Sequence, residues 1–419
     1  KWNQNNHMKE KVEVEGYGFV LNNSMDKFSK DEKDVNAVAR DYKTILVYSG
    51  IIAKEVELTK DKIAYNETIT LNDLISNING DKPENINIDT SKLGKQKIKF
   101  EYLHTEEQLM VPYEIEIEIV DVTPPTIYFS SPISITVGTD TNLINKLISF
   151  DDLDDTPNRE IIGSYDLNTI GNYNLTFKIT DEYENVSTKD FVLKVIKKSN
   201  SSSSGTVKTT PFKTYLNNYK NDNTKIGIDV SKWQYDINFN KVKQEGVEFA
   251  IIKLGGTDGL DGEPYIDKYY EKNIEGFTKQ EIPVGLYYFS HANTKEKAIQ
   301  EAKYVLENIK EYKIELPIYF DWENFSNFNK YNMSRKTLND VAKAFIDTIE
   351  KAGYKSMVYG SKNYLNNFWD LKQENVWLAH YTSKTDYDGK YNMWQLTSTC
   401  KINGISENTV DVDILYLDK

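Results

Sequence analysis

Eight short apolar segments punctuate residues 225–419, at 226–230, 248–254, 284–289, 316–322, 355–360, 376–381, 393–397 and 411–416. Their length and their β-branched and aromatic content read as strands. Helical patterns fit between the first six. The clearest runs over 334–352, where Leu338, Val341, Ala342, Phe345, Ile346 and Ile349 keep the i, i+3, i+4, i+7 stripe. Ser334 is placed to cap its start and Gly353 its end. A similar stripe covers 294–311. The last two gaps, 382–392 and 398–410, are short and polar and read as loops. Strands alternating with helices predict a parallel sheet, and eight of them predict a closed barrel with about five helices and three closing strands. In a barrel of this kind, chemistry belongs at the C-terminal ends of the strands.

The preceding residues have a different texture. Lys97–Leu103, Tyr113–Ile119 and Asn174–Ile179 alternate polar and apolar side chains, the period of a half-buried strand. Asp89-Thr-Ser-Lys-Leu-Gly94, followed by Ile98 and Phe100, recurs as Asp166-Leu-Asn-Thr-Ile-Gly171, followed by Leu175 and Phe177. The two copies meet near Val122-Thr-Pro-Pro125. They resemble the tandem bacterial immunoglobulin-like domains of surface proteins. That resemblance implies two β-sandwiches, serving as spacers or, less favoured, as wall-binding modules. The run Ser199-Asn-Ser-Ser-Ser-Ser-Gly205 has little to bury and reads as linker. The expected organisation is a segment of unassigned role at 1–42, sandwiches at 43–122 and 123–198, a linker at 199–224 and the barrel at 225–419.

Acidic residues fall at the barrel's strand ends. Asp229 ends the first candidate strand, Asp321 and Glu323 end the fourth, and Asp411 opens the last. Strand side chains alternate, so Asp321 and Glu323 share a face with Tyr319, and Trp322 points away. Two like charges at the end of an apolar strand do not both ionise easily, so one keeps its proton to higher pH. A protonated carboxyl beside a carboxylate is the equipment of glycoside hydrolysis. A lone strand-end Asp is more often a turn or cap residue. The rings of Trp233, Tyr287, Tyr288, Phe289, Trp322, Trp377, Tyr381 and Trp394 near these positions shift the balance towards a sugar site.

Ordered motifs then carry a resemblance. They are Gly227-Ile-Asp-Val-Ser-Lys-Trp-Gln234, Ile251-Ile-Lys253, Val284-Gly-Leu-Tyr-Tyr-Phe289 and Phe320-Asp-Trp-Glu323, followed by Trp377-Leu-Ala-His-Tyr381, Trp394-Gln-Leu-Thr-Ser398 and Val410-Asp-Val-Asp413. The series resembles glycoside hydrolase family 25, the Chalaropsis-type muramidases, over about 225–419. The resemblance implies an irregular (β/α)5(β)3 barrel. It also implies cleavage of the β-1,4 bond between N-acetylmuramic acid and N-acetylglucosamine in peptidoglycan. It makes Glu323 the general acid/base, Asp321 its acidic neighbour, and Asp229 and Asp411 the other acids of the cleft. Lys253, Tyr287, Tyr288, Trp377, Tyr381, Trp394 and Gln395 become groove residues. The chain departs from the family pattern twice: at the Gly-rich stretch Leu254–Gly262, and at Asp411-Val-Asp413, where Asn is usual in the second acidic place.

Charge and composition narrow the alternatives. Lys+Arg number 51 against 64 Asp+Glu, a net charge of −13, which disfavours nucleic acid as a partner. One Cys excludes an internal disulfide, and four separated His lack zinc-hydrolase spacing. No cofactor or metal is expected. The first residue is Lys and no signal peptide is evident, so the chain reads as a processed or truncated product, with an anchor upstream left open. The expected setting is the cell surface or secreted space of a Gram-positive wall, and the expected state is a monomer. The competing reading is a wall protein that holds glycan or adheres without cutting.

Overall fold

A computed structural model describes residues 56–105, 110–198 and 208–417. The segment 1–42 and the Ser-rich run 199–207 lie outside the described residues. The chain divides into two compact units, Lys1–Val122 and Thr123–Lys419.

In the first unit, Gly94–Leu103 pairs antiparallel with Met110–Val120, which also pairs parallel with Lys62–Ala64. Val56–Leu58 and Ile75–Ile78 form a second, two-stranded sheet. Period two does the sorting. Ile115, Ile117 and Ile119 are buried with Ile63, Leu71 and Leu74, while Glu114 and Glu116 face outward and pair with Lys97 and Lys95.

The second unit opens with a similar hairpin, Gly171–Thr180 against Val186–Ile196, flanked by Asn158–Ile162 and by the parallel strand Ile133–Thr136. Phe177, Ile179, Leu193 and Val195 fill its core. The sequence repeat has a local cause. The Asp89 carboxylate accepts from the Ser91 amide and hydroxyl, and the Asp166 carboxylate from the Asn168 amide and the Thr169 hydroxyl. Each Asx turn delivers the chain to the glycine that starts the longer strand pair.

The rest of the unit is a closed eight-stranded barrel. Its strands are β1 (Thr224–Val230), β2 (Ala250–Thr257), β3 (Val284–Phe289), β4 (Ile318–Asp321), β5 (Ser356–Ser361), β6 (Trp377–Ala379), β7 (Met393–Ile402) and β8 (Ile405–Tyr416). β1 through β7 run parallel, and antiparallel β8 pairs with both β7 and β1 to close the ring. Helices α1 (Phe239–Gln244), α2 (Tyr270–Lys279), α3 (Lys295–Asn308), α4 (Arg335–Lys351) and α5 (Lys362–Asn367) join the first six strands. Ser334 caps α4 through the Thr337 amide, and Gly353 ends it at φ +92°. Inside, Phe249, Ile251, Tyr319, Trp377, Met393 and Leu415 form the plug. Outside, Ile228, Ile252, Leu286, Phe320, Val358 and Ile414 meet the helices. Among the described residues no helix is long and apolar enough to cross a membrane.

Two expectations need correction. The stretch 398–410 is a hairpin rather than a loop: β7 and β8 continue through it and turn at Gly404, φ +104°. Cys400, Ile402, Ile405 and Val410 supply its buried face. The proposed linker is also shorter than 199–224. Thr210–Pro211 pairs with Cys400–Lys401 on β7, and the helix Phe212–Tyr219 buries Phe212 against the barrel.

Candidate active site

Alternation along the barrel strands decides which side chains point inward. On β1, Ile228 and Val230 join the outer core, so Asp229 faces the lumen. On β4, Tyr319 belongs to the plug while Phe320 and Trp322 pack outward, so Asp321 faces in. Glu323 follows at the start of the 3-10 segment Asn324–Lys330. On β8, Val412 and Ile414 face out, which turns Asp411 and Asp413 in. The antiparallel register sets Asp229 directly opposite Asp411. Five carboxyl groups from three strands therefore meet above the aromatic plug, at the C-terminal ends of the parallel strands.

Hydrogen bonds fix their orientation. The Gln395 amide donates to Asp229 Oδ2 at 2.8 Å, and its oxygen accepts from the Tyr359 and Tyr381 hydroxyls, each at 3.0 Å. Trp377 Nε1 donates to Asp413 Oδ1 at 2.8 Å. The Trp377 ring lies 4.6 Å from Tyr359, 4.9 Å from Tyr319 and 6.0 Å from Tyr287, centroid to centroid. Asp229 and Asp413 are within hydrogen-bonding reach of each other, and so are Asp321 and Glu323.

This crowding raises proton affinity. Burial pushes the Asp229 carboxyl well above the usual range, and the Asp413 charge adds to it. Asp413 is raised by burial and then by Asp411. Asp411 is pushed up to about 9 by burial and by Asp229. Asp321 is raised by burial and by the Glu323 charge, with the Lys253 ammonium pulling the other way. Glu323 is an exposed residue at the mouth. Even so, the protein around its carboxyl raises it by desolvation, opposed by the hydrogen bond from Asp321 and by Lys253. Lys253 is itself lowered by burial, with its ammonium 4.7 Å from the Phe289 ring centroid and 5.7 Å from that of Tyr287. Burial thus raises the proton affinity of all five carboxyls, and Glu323 is the one among them exposed at the mouth.

Of the residues singled out in the sequence, Asp229, Asp321, Glu323, Asp411, Lys253, Tyr287, Trp377, Tyr381 and Gln395 gather on the inner face or its rim. Tyr288 and Trp394 do not, and their assignment to the groove is corrected. Tyr288 lies one residue out of phase, fully buried against Phe345 and bonded to Thr257 Oγ1. Trp394 packs in the outer core beside Tyr219, and its Nε1 donates to the His380 carbonyl. The same alternation reveals one participant that the sequence reading passed over and one that it named only as a departure from the family pattern. Tyr359 has the inward phase of β5, and Asp413 shares a face with Asp411.

Residues 228–405 match the family described as Glycosyl hydrolases family 25. The autolytic lysozyme of Clostridium acetobutylicum is 27% identical over 190 residues, covering 45% of this chain and 54% of its own length. Lysozyme M1 of Streptomyces globisporus is 28% identical over 199 residues, 43% of this chain and 64% of its own. This chain therefore spans between about half and two thirds of the length of these curated relatives. A solved family 25 glycosyl hydrolase from Bacillus anthracis is 25% identical, covers 47% of this chain and 91% of that one, and superposes with a TM-score of 0.41.

Proposed function

We propose that the family 25 glycosyl hydrolase domain at 228–405 makes this chain an N-acetylmuramidase that cuts the β-1,4 bond between N-acetylmuramic acid and N-acetylglucosamine in peptidoglycan. The observation that carries this reading is the convergence of Asp229, Asp321, Glu323, Asp411 and Asp413 at one mouth of the barrel, with Glu323 alone among them exposed. Glu323 gives its proton to the glycosidic oxygen as the C1–O bond breaks. A water then supplies hydroxyl to C1 and returns a proton to Glu323. Asp321 shares a hydrogen bond with Glu323, and it is burial that raises the proton affinity of both carboxyls. The Asp229–Asp413 pair, braced by Gln395 and Trp377, presents a fixed polar wall to the sugar. The exposed rings of Trp233 and Tyr381 suit the apolar faces of saccharides.

The finer architecture proposed is a (β/α)5(β)3 barrel, with five helices after the first five strands and none among the last three. The preceding β-modules are proposed as immunoglobulin-like, and the setting as extracytoplasmic, where peptidoglycan is found. Clearing of purified cell walls tests the reading. Glu323→Gln is expected to lower the rate about 10²–10⁴-fold, the usual worth of a positioned general acid. Equal clearing by both proteins would remove Glu323 from the mechanism. No clearing by the unsubstituted chain on several wall types would favour glycan binding without cutting.

A further inference from the structure

The segment after Glu323 is held from outside the barrel. Asn324–Lys330 is a short 3-10 stretch, interrupted at Asn327 (φ −119°, ψ 15°). The hydrogen bonds of such a 3-10 turn have poorer geometry than those of an α-helix. Beneath it, Trp322 is fully buried, donates from Nε1 to the Ala292 carbonyl at 3.0 Å and packs on Phe325 and Phe328. Above it sits the β-module at 123–196. The buried Asn329 side chain accepts from the Ser149 amide at 3.0 Å and donates to the Ile144 and Leu147 carbonyls, each at 2.9 Å. Phe150, 2% exposed, places its ring 5.7 Å from Phe328 and 4.5 Å from Phe368. Phe150 belongs to the barrel's outer core, and Tyr128 and Ile148 pack on that core beside it.

The same module also terminates the next helix. The first amides of a helix lack partners within it. In α4, the Arg335 and Lys336 amides donate to the Asp151 and Asp152 carbonyls at 2.8 and 3.0 Å. The Ser334 amide donates to Asp155 Oδ1 at 2.7 Å. The middle of the excursion from Asn324 to Ser334 and its C-terminal end are thus tied to the module, while Asn324 itself donates to the Ser290 carbonyl of the barrel at 3.2 Å. Of the loops at the barrel's catalytic end, this is the one that carries Glu323.

We propose that the module at 123–196 acts as a positioning element for the general acid, with Phe150 and Asn329 as the positioning residues that hold the middle of the segment following Glu323. This rests on the muramidase reading. A spacer needs no particular attachment point, whereas a clamp on the acid-bearing loop controls the geometry of proton delivery. Misplacement of a reacting group by about 1 Å can cost on the order of 10²-fold in rate.

The test uses the full chain with Phe150→Ala, Phe150→Leu and Asn329→Ala. It reads kcat and KM on solubilised peptidoglycan, together with amide hydrogen exchange over residues 323–334. Phe150→Ala and Asn329→Ala are expected to lower kcat about tenfold, to leave KM within about twofold and to speed exchange in 323–334. Phe150→Leu, which keeps apolar volume, is expected to recover most of the rate. Unchanged kcat alongside faster exchange in 323–334 would overturn the proposal, as would unchanged exchange there in Asn329→Ala. Should Phe150→Ala fail to fold, Phe150→Leu and Asn329→Ala carry the comparison. A wild-type chain that releases no reducing ends overturns the muramidase reading itself, a failure visible before any variant is compared.

Discussion

Asp411 is where the site's electrostatics meet the stability of the fold. Its carboxyl rises from 3.8 to about 9 in the folded chain, so the folded state binds a proton that the unfolded state has released. Such a group contributes stability that is fully present below the unfolded value and is lost as pH rises towards the folded one. The melting temperature is therefore expected to fall between pH 5 and pH 8. Asp411→Asn, neutral at every pH, is expected to make that decline shallower. Parallel curves for the two proteins would show that Asp411 is not the titrating group. The four acids Asp229, Asp321, Glu323 and Asp411 were legible from their places at strand ends, whereas Lys253, Tyr287, Trp377, Tyr381 and Gln395 were assigned to the groove only through the resemblance to family 25. Tyr288 and Trp394 misled because they adjoin Tyr287 and Gln395, and an aromatic ring serves a helix interface as well as a sugar. Tyr359 went unseen because its strand carries no acid to draw attention to it.

At the level of elements, the Gly-rich departure after Lys253 has a structural reason. β2 carries an added antiparallel strand, Pro264–Ile266, with Gly255 opposite Ile266 and Gly256 opposite Tyr265. A Cβ on Gly255 would lie 1.9 Å from the Tyr265 carbonyl oxygen, and one on Gly256 2.7 Å from that of Phe289. The glycines let this hairpin lie close over β2, which keeps Tyr265 within electrostatic reach of Asp321. Gly255→Ala is expected to cost about 1–3 kcal/mol of stability, as overpacking usually does, and to raise KM more than it lowers kcat. Wild-type stability and KM would mean that the hairpin is free to shift. The helices α3 and α4 were legible because their apolar stripes and caps are local. The β7–β8 hairpin was not, since its polar Thr, Ser, Asn and Glu residues conceal the alternation of Cys400, Ile402, Ile405 and Val410.

On the scale of the whole molecule, composition separated a strand-rich half from a barrel, and the Ser-rich run suggested that they move apart. Within Thr123–Lys419 the opposite holds: the module and the barrel form one compact unit. The contacts that join them run between positions such as Ser149 and Asn329, distant in sequence and without a local pattern to announce the pairing. The net charge of −13 gives no electrostatic pull towards an anionic wall, so on the proposed muramidase reading affinity for the polymer comes from ring stacking, hydrogen bonds or tethering. What the assembled molecule does to that polymer is read most directly from the new reducing end it creates in defined muropeptides. N-acetylmuramic acid at that end is the predicted result, and N-acetylglucosamine there would contradict the account.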